Sequence, residues 1–177
     1  IITPTDLLDE IIAMKTPMKA EDVLNVKCVT AYEKEPLSYT VPAMRISDVP
    51  AMPVLNDDGE LVGILTDRDL FLDQGKDSEA LSKLGLDEGY EKLAGYRNVM
   101  PLFYVATQKE IPKEYLVEDA MVRDPATVYK KTSLSDAAKI MKVNDFGQLP
   151  VHGNNDELIG MIYDIDVLYA LVGKLDG

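Results

Sequence analysis

The chain contains itself twice, and an internal duplication limits the available folds more than any compositional figure does. Residues 53–69 read PVLNDDGELVGILTDRD and residues 150–166 read PVHGNNDELIGMIYDID. An offset of 97 superposes them without a gap: Pro53 on Pro150, Val54 on Val151, Glu60 on Glu157, Leu61 on Leu158, Gly63 on Gly160, Asp67 on Asp164 and Asp69 on Asp166. The register continues upstream, with Thr30 on Thr127, Leu37 on Leu134, Ser38 on Ser135 and Met44 on Met141. A gapless match of about 45 residues anchored on Pro, Gly and Asp marks two copies of one supersecondary unit.

Each copy has a readable order of elements. In the second, Thr127-Val128-Tyr129 is a short β-prone run. Ser133 then offers an N-cap, with Asp136 three residues on as a capping-box partner. Leu134, Ala137, Ala138 and Met141 recur at i, i+3, i+4 and i+7, which is one face of a helix. Leu149–Val151 and Glu157–Tyr163 read as strands around the turn-rich Gly153–Asp156. A second helix carries Val167, Leu168 and Leu171, so the unit is β-α-β-β-α.

The first copy repeats the plan with Leu37, Thr40, Val41 and Met44 on the helix face. Its strands are Met52–Leu55 and Glu60–Thr66, around Asn56–Gly59. Pro42 lacks an N–H for the helical ladder and predicts a late start or a kink. A unit of roughly 50 residues buries too little surface to stand alone. The expected fold is therefore α+β, two such repeats packed sheet to sheet with pseudo-two-fold symmetry, plus an N-terminal helix and a partly helical insert. The segments are 1–19 (N-terminal helix), 20–73 (first repeat), 74–115 (insert) and 116–177 (second repeat). In the first, Thr5 is a candidate cap for a helix striped with Leu7, Leu8, Ile11 and Ile12, which covers the core or a dimer partner. The insert holds a charged helical stretch around Ser78–Leu84. Its apolar run Met100–Tyr104 is expected to pack or to line a cavity.

At Gly63-Ile64-Leu65-Thr66-Asp67-Arg68-Asp69, behind the x-P-V strand, the unit resembles the CBS domain, and two in tandem resemble a Bateman module. The resemblance covers about 110 residues and leaves the N-terminus and insert aside. It implies a regulatory, non-catalytic protein that binds an adenosine-containing ligand in clefts between the repeats, pairs as a homodimer and signals to a partner protein. Carried over by position, Asp69 accepts from the ribose hydroxyls, and Thr66 offers its hydroxyl and backbone to ribose or phosphate. Val29, Thr30, Ala31 and Pro53 frame the adenine. The second-repeat counterparts are Asp166, with Ala126, Thr127, Val128 and Pro150. There Tyr163 replaces Thr66 and Ile165 replaces Arg68, so the Asp69 site ranks first and the ring of Tyr163 is a candidate plug.

The chemistry fits independently: a carboxylate accepts from both hydroxyls of a cis-diol. A helix N-terminus beside it favours an anion, and Arg68 is a candidate phosphate partner. The competing reading of Thr66-x-x-Asp69 is an ordinary capping box. The paired aspartates 67/69 and 164/166 read as dipole-stabilising acids rather than magnesium ligands, so no metal is expected. Gly63 and Gly160 are expected to allow close backbone approach, and the eight methionines to fill core.

Composition closes off other classes. Among 177 residues there are one Cys and one His, so neither a disulfide framework nor a histidine-rich metal site is available. His152 reads as a packing or surface residue and Cys28 as small filler, which leaves no nucleophile–base pair for an enzyme. The formal charge of −13 argues against nucleic acid, whose binding depends on neutralising phosphates. It also disfavours ADP or ATP relative to AMP, with S-adenosylmethionine next. No apolar run approaches the roughly 20 residues of a membrane span, and no leader opens the chain, so a cytoplasmic location is expected. The alternative to a ligand sensor is a ligand-free dimerisation scaffold with plugged clefts.

Overall fold

A computed structural model describes residues 4–25, 28–66 and 114–172. The chain divides into two compact units, one formed by residues 1–28 and 125–177 and the other by 29–124. In chain order the described elements are α1 (Pro4–Met14), a 3-10 turn (Ala20–Asp22), β1 (Ala31–Tyr32), α2 (Leu37–Ile46), β2 (Ala51–Leu55), β3 (Leu61–Thr66), α3 (Val117–Ala120), β4 (Val122–Arg123), β5 (Val128–Tyr129), α4 (Leu134–Asn144), β6 (Gln148–His152), β7 (Leu158–Tyr163) and α5 (Asp164–Val172). The architecture is mixed α+β, with one sheet ordered β1-β2-β3-β4 and another ordered β5-β6-β7.

The two sheets share one register. Parallel β1 and β2 pair Ala31 with Val54, and parallel β5 and β6 pair Val128 with Val151. Antiparallel β2 and β3 pair Ala51 with Thr66, and β6 and β7 pair Gln148 with Tyr163. Both hairpins carry an irregularity at the equivalent step, Val54/Leu55 and Val151/His152. Every one of these positions is related by the 97-residue offset read from the sequence.

Each unit has its own core. In one, Leu37, Val41 and Met44 of α2 pack with Met52, Val54 and Leu65 of the sheet and with Val117 and Met121. In the other, Leu134, Ala137, Ala138 and Met141 of α4 pack with Leu149, Val151, Ile162, Val167 and Leu168. These are the helix faces that the spacing singled out. α1 opens on Pro4, whose missing N–H costs nothing at a first-turn position. Its Leu8 and Ile11 are fully buried in the second of these cores, so the stripe covers its own unit; Leu7 stays partly exposed. Ser135 Oγ donates to the Ile11 carbonyl at 3.1 Å, and Asp9 pairs with Lys142, which fixes α1 along α4.

The opening segment of each repeat is built into the unit of the other. Ala20 N–H donates to Thr132 O and Glu21 N–H to Lys130 O, both at 2.9 Å. Their equivalents, Val117 to Glu35 and Glu118 to Glu33, are also 2.9 Å. Leu134 donates to Met18 O and Leu37 to Tyr115 O. Asn25 and Met161 exchange two bonds across β7, at 2.9 and 3.1 Å, where β4 pairs with Ile64 on β3. Even the caps repeat: Asp22 accepts from Lys19 N–H at 2.8 Å, and Asp119 accepts from Leu116 N–H at 2.9 Å.

Two local features differ from expectation or sharpen it. α2 begins at Leu37 and runs through Pro42, so there is no late start. Pro42 is exposed, and the carbonyl it leaves without an N–H partner belongs to Ser38, on a half-buried turn where water reaches. In α4 the cap at Ser133 forms as predicted, its hydroxyl accepting from Asp136 N–H at 3.1 Å. The Ser78–Leu84 and Met100–Tyr104 stretches lie outside the described residues.

Gly160 explains how Asn25 reaches β7. A Cβ there would stand 2.5 Å from the Asn25 carbonyl oxygen, at φ +157. At Gly63 the nearest atom is the Met121 sulfur, also 2.5 Å away but on a flexible side chain. Gly160→Ala is therefore expected to destabilise by about 2–3 kcal/mol and Gly63→Ala by about 1 kcal/mol, read from urea unfolding midpoints. Equal costs would contradict the backbone contact. Burial also pushes the Cys28 thiol above its ordinary pKa. The native protein at pH 8 should react with iodoacetamide more slowly than the urea-unfolded chain, because less thiolate is present.

Candidate functional site

Strand direction decides which residues meet. β1 and β2 are parallel, so their first residues lie at the same end of the sheet, and antiparallel β3 finishes there. Val29 and Thr30, just before β1, Pro53 in β2 and Thr66 at the close of β3 thus converge on one sheet end. Ala31 pairs with Val54, which sets Thr30 level with Pro53. β1 is only two residues long, and a proline offers no N–H to a neighbouring strand. The chain therefore leaves the ladder beside Pro53. Ala31 and Pro53 are buried, Thr66 nearly so, and Val29 and Thr30 are half-buried. Arg68 and Asp69, the next residues after β3, lie outside the described residues.

The second repeat has the whole equivalent arrangement in view. Ala126 and Thr127 precede β5, Pro150 lies in β6, and Val128 pairs with Val151. β7 ends at Tyr163, opposite Gln148, and α5 starts on the next residue. The Asp166 carboxylate accepts from the Tyr163 backbone N–H at 3.0 Å. This is the reverse half of a capping box, made by the acid at the third helical position. Asp166 thus makes at this helix start the kind of backbone bond that the competing reading assigned to Asp69 in the first repeat.

Asp164 is buried, with 4% of its surface exposed. Its Oδ1 accepts from Ile165 N–H at 2.7 Å, and its own N–H donates to Gly147 O at 2.9 Å. These bonds tie the start of α5 to the loop entering β6. Tyr163, which replaces the short hydroxyl of the first repeat, is 8% exposed. Ile165, in place of Arg68, is 41% exposed. Among the described residues no group of three or more His, Cys, Asp or Glu is arranged to hold a metal ion.

His152 lies at the opposite end of β6, where its Nδ1 is 2.7 Å from Asp156 O and its ring is 5.8 Å from that of Tyr129. The Tyr129 hydroxyl donates to Asp156 at 2.9 Å, which holds the phenol above its ordinary pKa. This cluster pins the β6–β7 turn. The sequence marks His152 as a packing or surface residue but gives no sign of the Tyr129 partner, since the two meet only through parallel β5–β6 pairing.

The CBS domain family model matches residues 20–73 and 117–173, and the chain belongs to that family, with two CBS domains in tandem. A CBS domain-containing protein of Dictyostelium discoideum is 30% identical over 79% of this chain and 81% of its own length. Among solved structures, an archaeal protein from Methanocaldococcus jannaschii superposes with a TM-score of 0.67 at 25% identity. That match covers 96% of this chain but only 54% of the archaeal one. CBSX2 from Arabidopsis thaliana, crystallised in complex with AMP, gives a TM-score of 0.63 at 20% identity, covering 89% of this chain and 98% of its own. A CBS domain pair crystallised with 5′-methylthioadenosine and S-adenosyl-L-methionine gives 0.61 at 17% identity, covering 90% of this chain and 99% of its own. No described helix is long and apolar enough to cross a membrane.

The cap at Asp166 sets a stability expectation separate from any ligand. Asp166→Ala should cost about 1 kcal/mol, read as a lowered urea midpoint at pH 7. An unchanged midpoint would show that the bond to Tyr163 N–H contributes nothing net.

Proposed function

We propose that this chain is a regulatory module that binds an adenosine-containing ligand, AMP before S-adenosylmethionine, ADP or ATP, and passes its occupancy to a partner protein. The observation that carries the reading is the convergence of Val29, Thr30, Pro53 and Thr66 on one sheet end, immediately before Asp69 in the chain. A nucleoside needs a flat apolar slot for its base and an acceptor for its diol, and this set supplies both residue types. Asp69 accepts from the ribose hydroxyls, while Thr66 and Arg68 meet the phosphate. Ala126, Thr127, Val128, Pro150 and Asp166 form the second half-site. CBS-domain proteins are in general regulatory and non-catalytic, and CBS pairs of similar fold have been crystallised with AMP and with S-adenosylmethionine. Signalling follows from a population shift. Ligand favours the state it binds more tightly, by no more than its difference in affinity between states. The working unit is a homodimer in the cytoplasm.

A specific observation supports a second reading for the Asp166 half. Tyr163 is buried where a short hydroxyl stands in the first repeat, and Asp166 is engaged in capping. In that reading the half-site is closed by the chain's own side chains and the repeats form an interaction scaffold.

Thermal melting separates the two. At about one hundred times its Kd a ligand adds roughly 2.7 kcal/mol, a rise of about 5–10 °C at this chain length. AMP should produce such a rise in the full chain, and Asp69→Ala should abolish it. If neither AMP, ADP, ATP nor S-adenosylmethionine moves the melting temperature, the scaffold reading replaces the sensor.

A further inference from the structure

We infer that the β6–β7 turn is an acid-released clasp: ionised carboxylates hold it closed and their protonation opens it, whereas the equivalent β2–β3 turn, held by a neutral amide, stays closed. The inference stands apart from the adenosine reading and concerns the opposite end of β6.

The two turns share one backbone. Asn56 N–H donates to Glu60 O at 3.0 Å, and Gly153 N–H donates to Glu157 O at 2.8 Å. Gly59 and Asp156, related by the repeat offset, both take a positive φ, +80 and +66. Inside the first loop the Asn56 side chain does the holding. Its Oδ1 accepts from Asp58 N–H at 3.0 Å and from Glu60 N–H at 2.9 Å, and its Nδ2 donates to the Glu60 carboxylate at 2.9 Å.

In the second repeat Gly153 stands in place of Asn56. The equivalent donors are Asn155 and Glu157, and the acceptor is now the Glu157 carboxylate. Its Oε2 takes the Asn155 N–H at 2.7 Å, and the backbone N–H of Glu157 itself also favours the ionised group. The two arrangements exclude each other, since a Cβ at Gly153 would have to displace that carboxylate.

A second carboxylate ties the turn to the end of β5, where Asp156 Oδ1 accepts from the Tyr129 hydroxyl at 2.9 Å. Gly59 offers no such group to Tyr32, the counterpart of Tyr129. The other charged and titratable groups facing the second turn are His152 of β6 and Lys130 after β5. His152 Nδ1 is 3.5 Å from Asp156 Oδ1, and the Lys130 carbonyl accepts from Glu21 of the 3-10 turn. On the first turn the Lys34–Asp57 pair is exposed on both sides, and such a pair contributes little.

A hydrogen bond to an ionised acceptor is roughly twice as strong as one between neutral groups, so protonation weakens the clasp bond by bond. The backbone donors, its own N–H first and Asn155 N–H next, hold the Glu157 carboxyl below its ordinary value of 4.5; Lys130 acts in the same sense and Asp156 against it. A carboxyl lowered in this way contributes stability that is complete above its ordinary value and lost as pH falls through the lowered one. Asn56 has no proton to gain, and its two backbone bonds persist.

Amide hydrogen exchange in the full chain, expressed as protection relative to the unfolded chain at each pH, tests this. From about pH 7 to about pH 3.5 protection at Gly153 N–H should fall several-fold, while that at Asn56 N–H holds. In the double variant Glu157→Gln, Asp156→Asn, whose amide oxygens still accept, Gly153 should be equally protected at both pH values. Equal losses at Gly153 and Asn56 would overturn the inference, as would full protection of Gly153 in acid. So would a pH dependence that survives in the double variant, which places the trigger on His152 instead.

Discussion

Backbone crosses the third strand of each repeat at a glycine, and the make-up of each unit depends on that contact. The bonds between Asn25 and Met161 form only because Gly160 leaves no Cβ in the way, and β4 pairs with β3 at Gly63, where the nearest atom is the Met121 sulfur. Residues 20–25 therefore belong by sequence to the first repeat and by hydrogen bonding to the second. Residues 116–123 make the reciprocal exchange. Neither β-α-β-β-α unit completes its own core: Val117 and Met121 close one, and Ala20 closes the other. A duplicated unit too small to be stable alone gains its missing apolar surface from the segment ahead of its twin. The same exchange obliges the chain to pass from one unit to the other at 28/29 and at 124/125.

The topology that produces the exchange also produces the sheet ends. Parallel pairing of a two-residue strand with the proline-bearing strand, followed by an antiparallel return, delivers three chain segments to one place in each unit. Their backbone is fixed by register, by Pro53 and Pro150, and by the glycine crossings. Divergence falls at the close of the last strand: Thr66 against Tyr163, and Arg68 against Ile165. A duplication can in this way keep one scaffold and alter the chemistry of one copy.

Much of this was legible in the sequence because the repeat is anchored on residues with narrow conformational roles. Gly, Pro and Asp fixed the offset, and the apolar spacing of Leu134, Ala137, Ala138 and Met141 marked the helix face that is buried. The Ser133 cap was readable from its local pattern. The exchange was not, since nothing local in residues 19–25 records that their partners lie more than a hundred residues away. Pro42 predicts a late start or a kink; the late start does not occur, because the one bond it removes lies on the wet side of α2, where its loss is cheap. The Tyr129–Asp156–His152 cluster was invisible for a similar reason, its members meeting only through strand pairing. For the site, the strand-end residues were named from the family resemblance, and Asp69 itself stands beyond the described residues.

The central claim is that an adenosine ligand seats at the sheet end where β1 and β2 begin and β3 finishes. Amide chemical shifts of the 15N-labelled chain, followed during titration with AMP, test it most directly. The account predicts that the largest changes fall at Val29, Thr30, Ala31, Val54 and Thr66, continuing through Asp69. Changes centred instead at the opposite end of the sheets, on Tyr32, Leu55, Tyr129 and His152, or no changes at all, would contradict it.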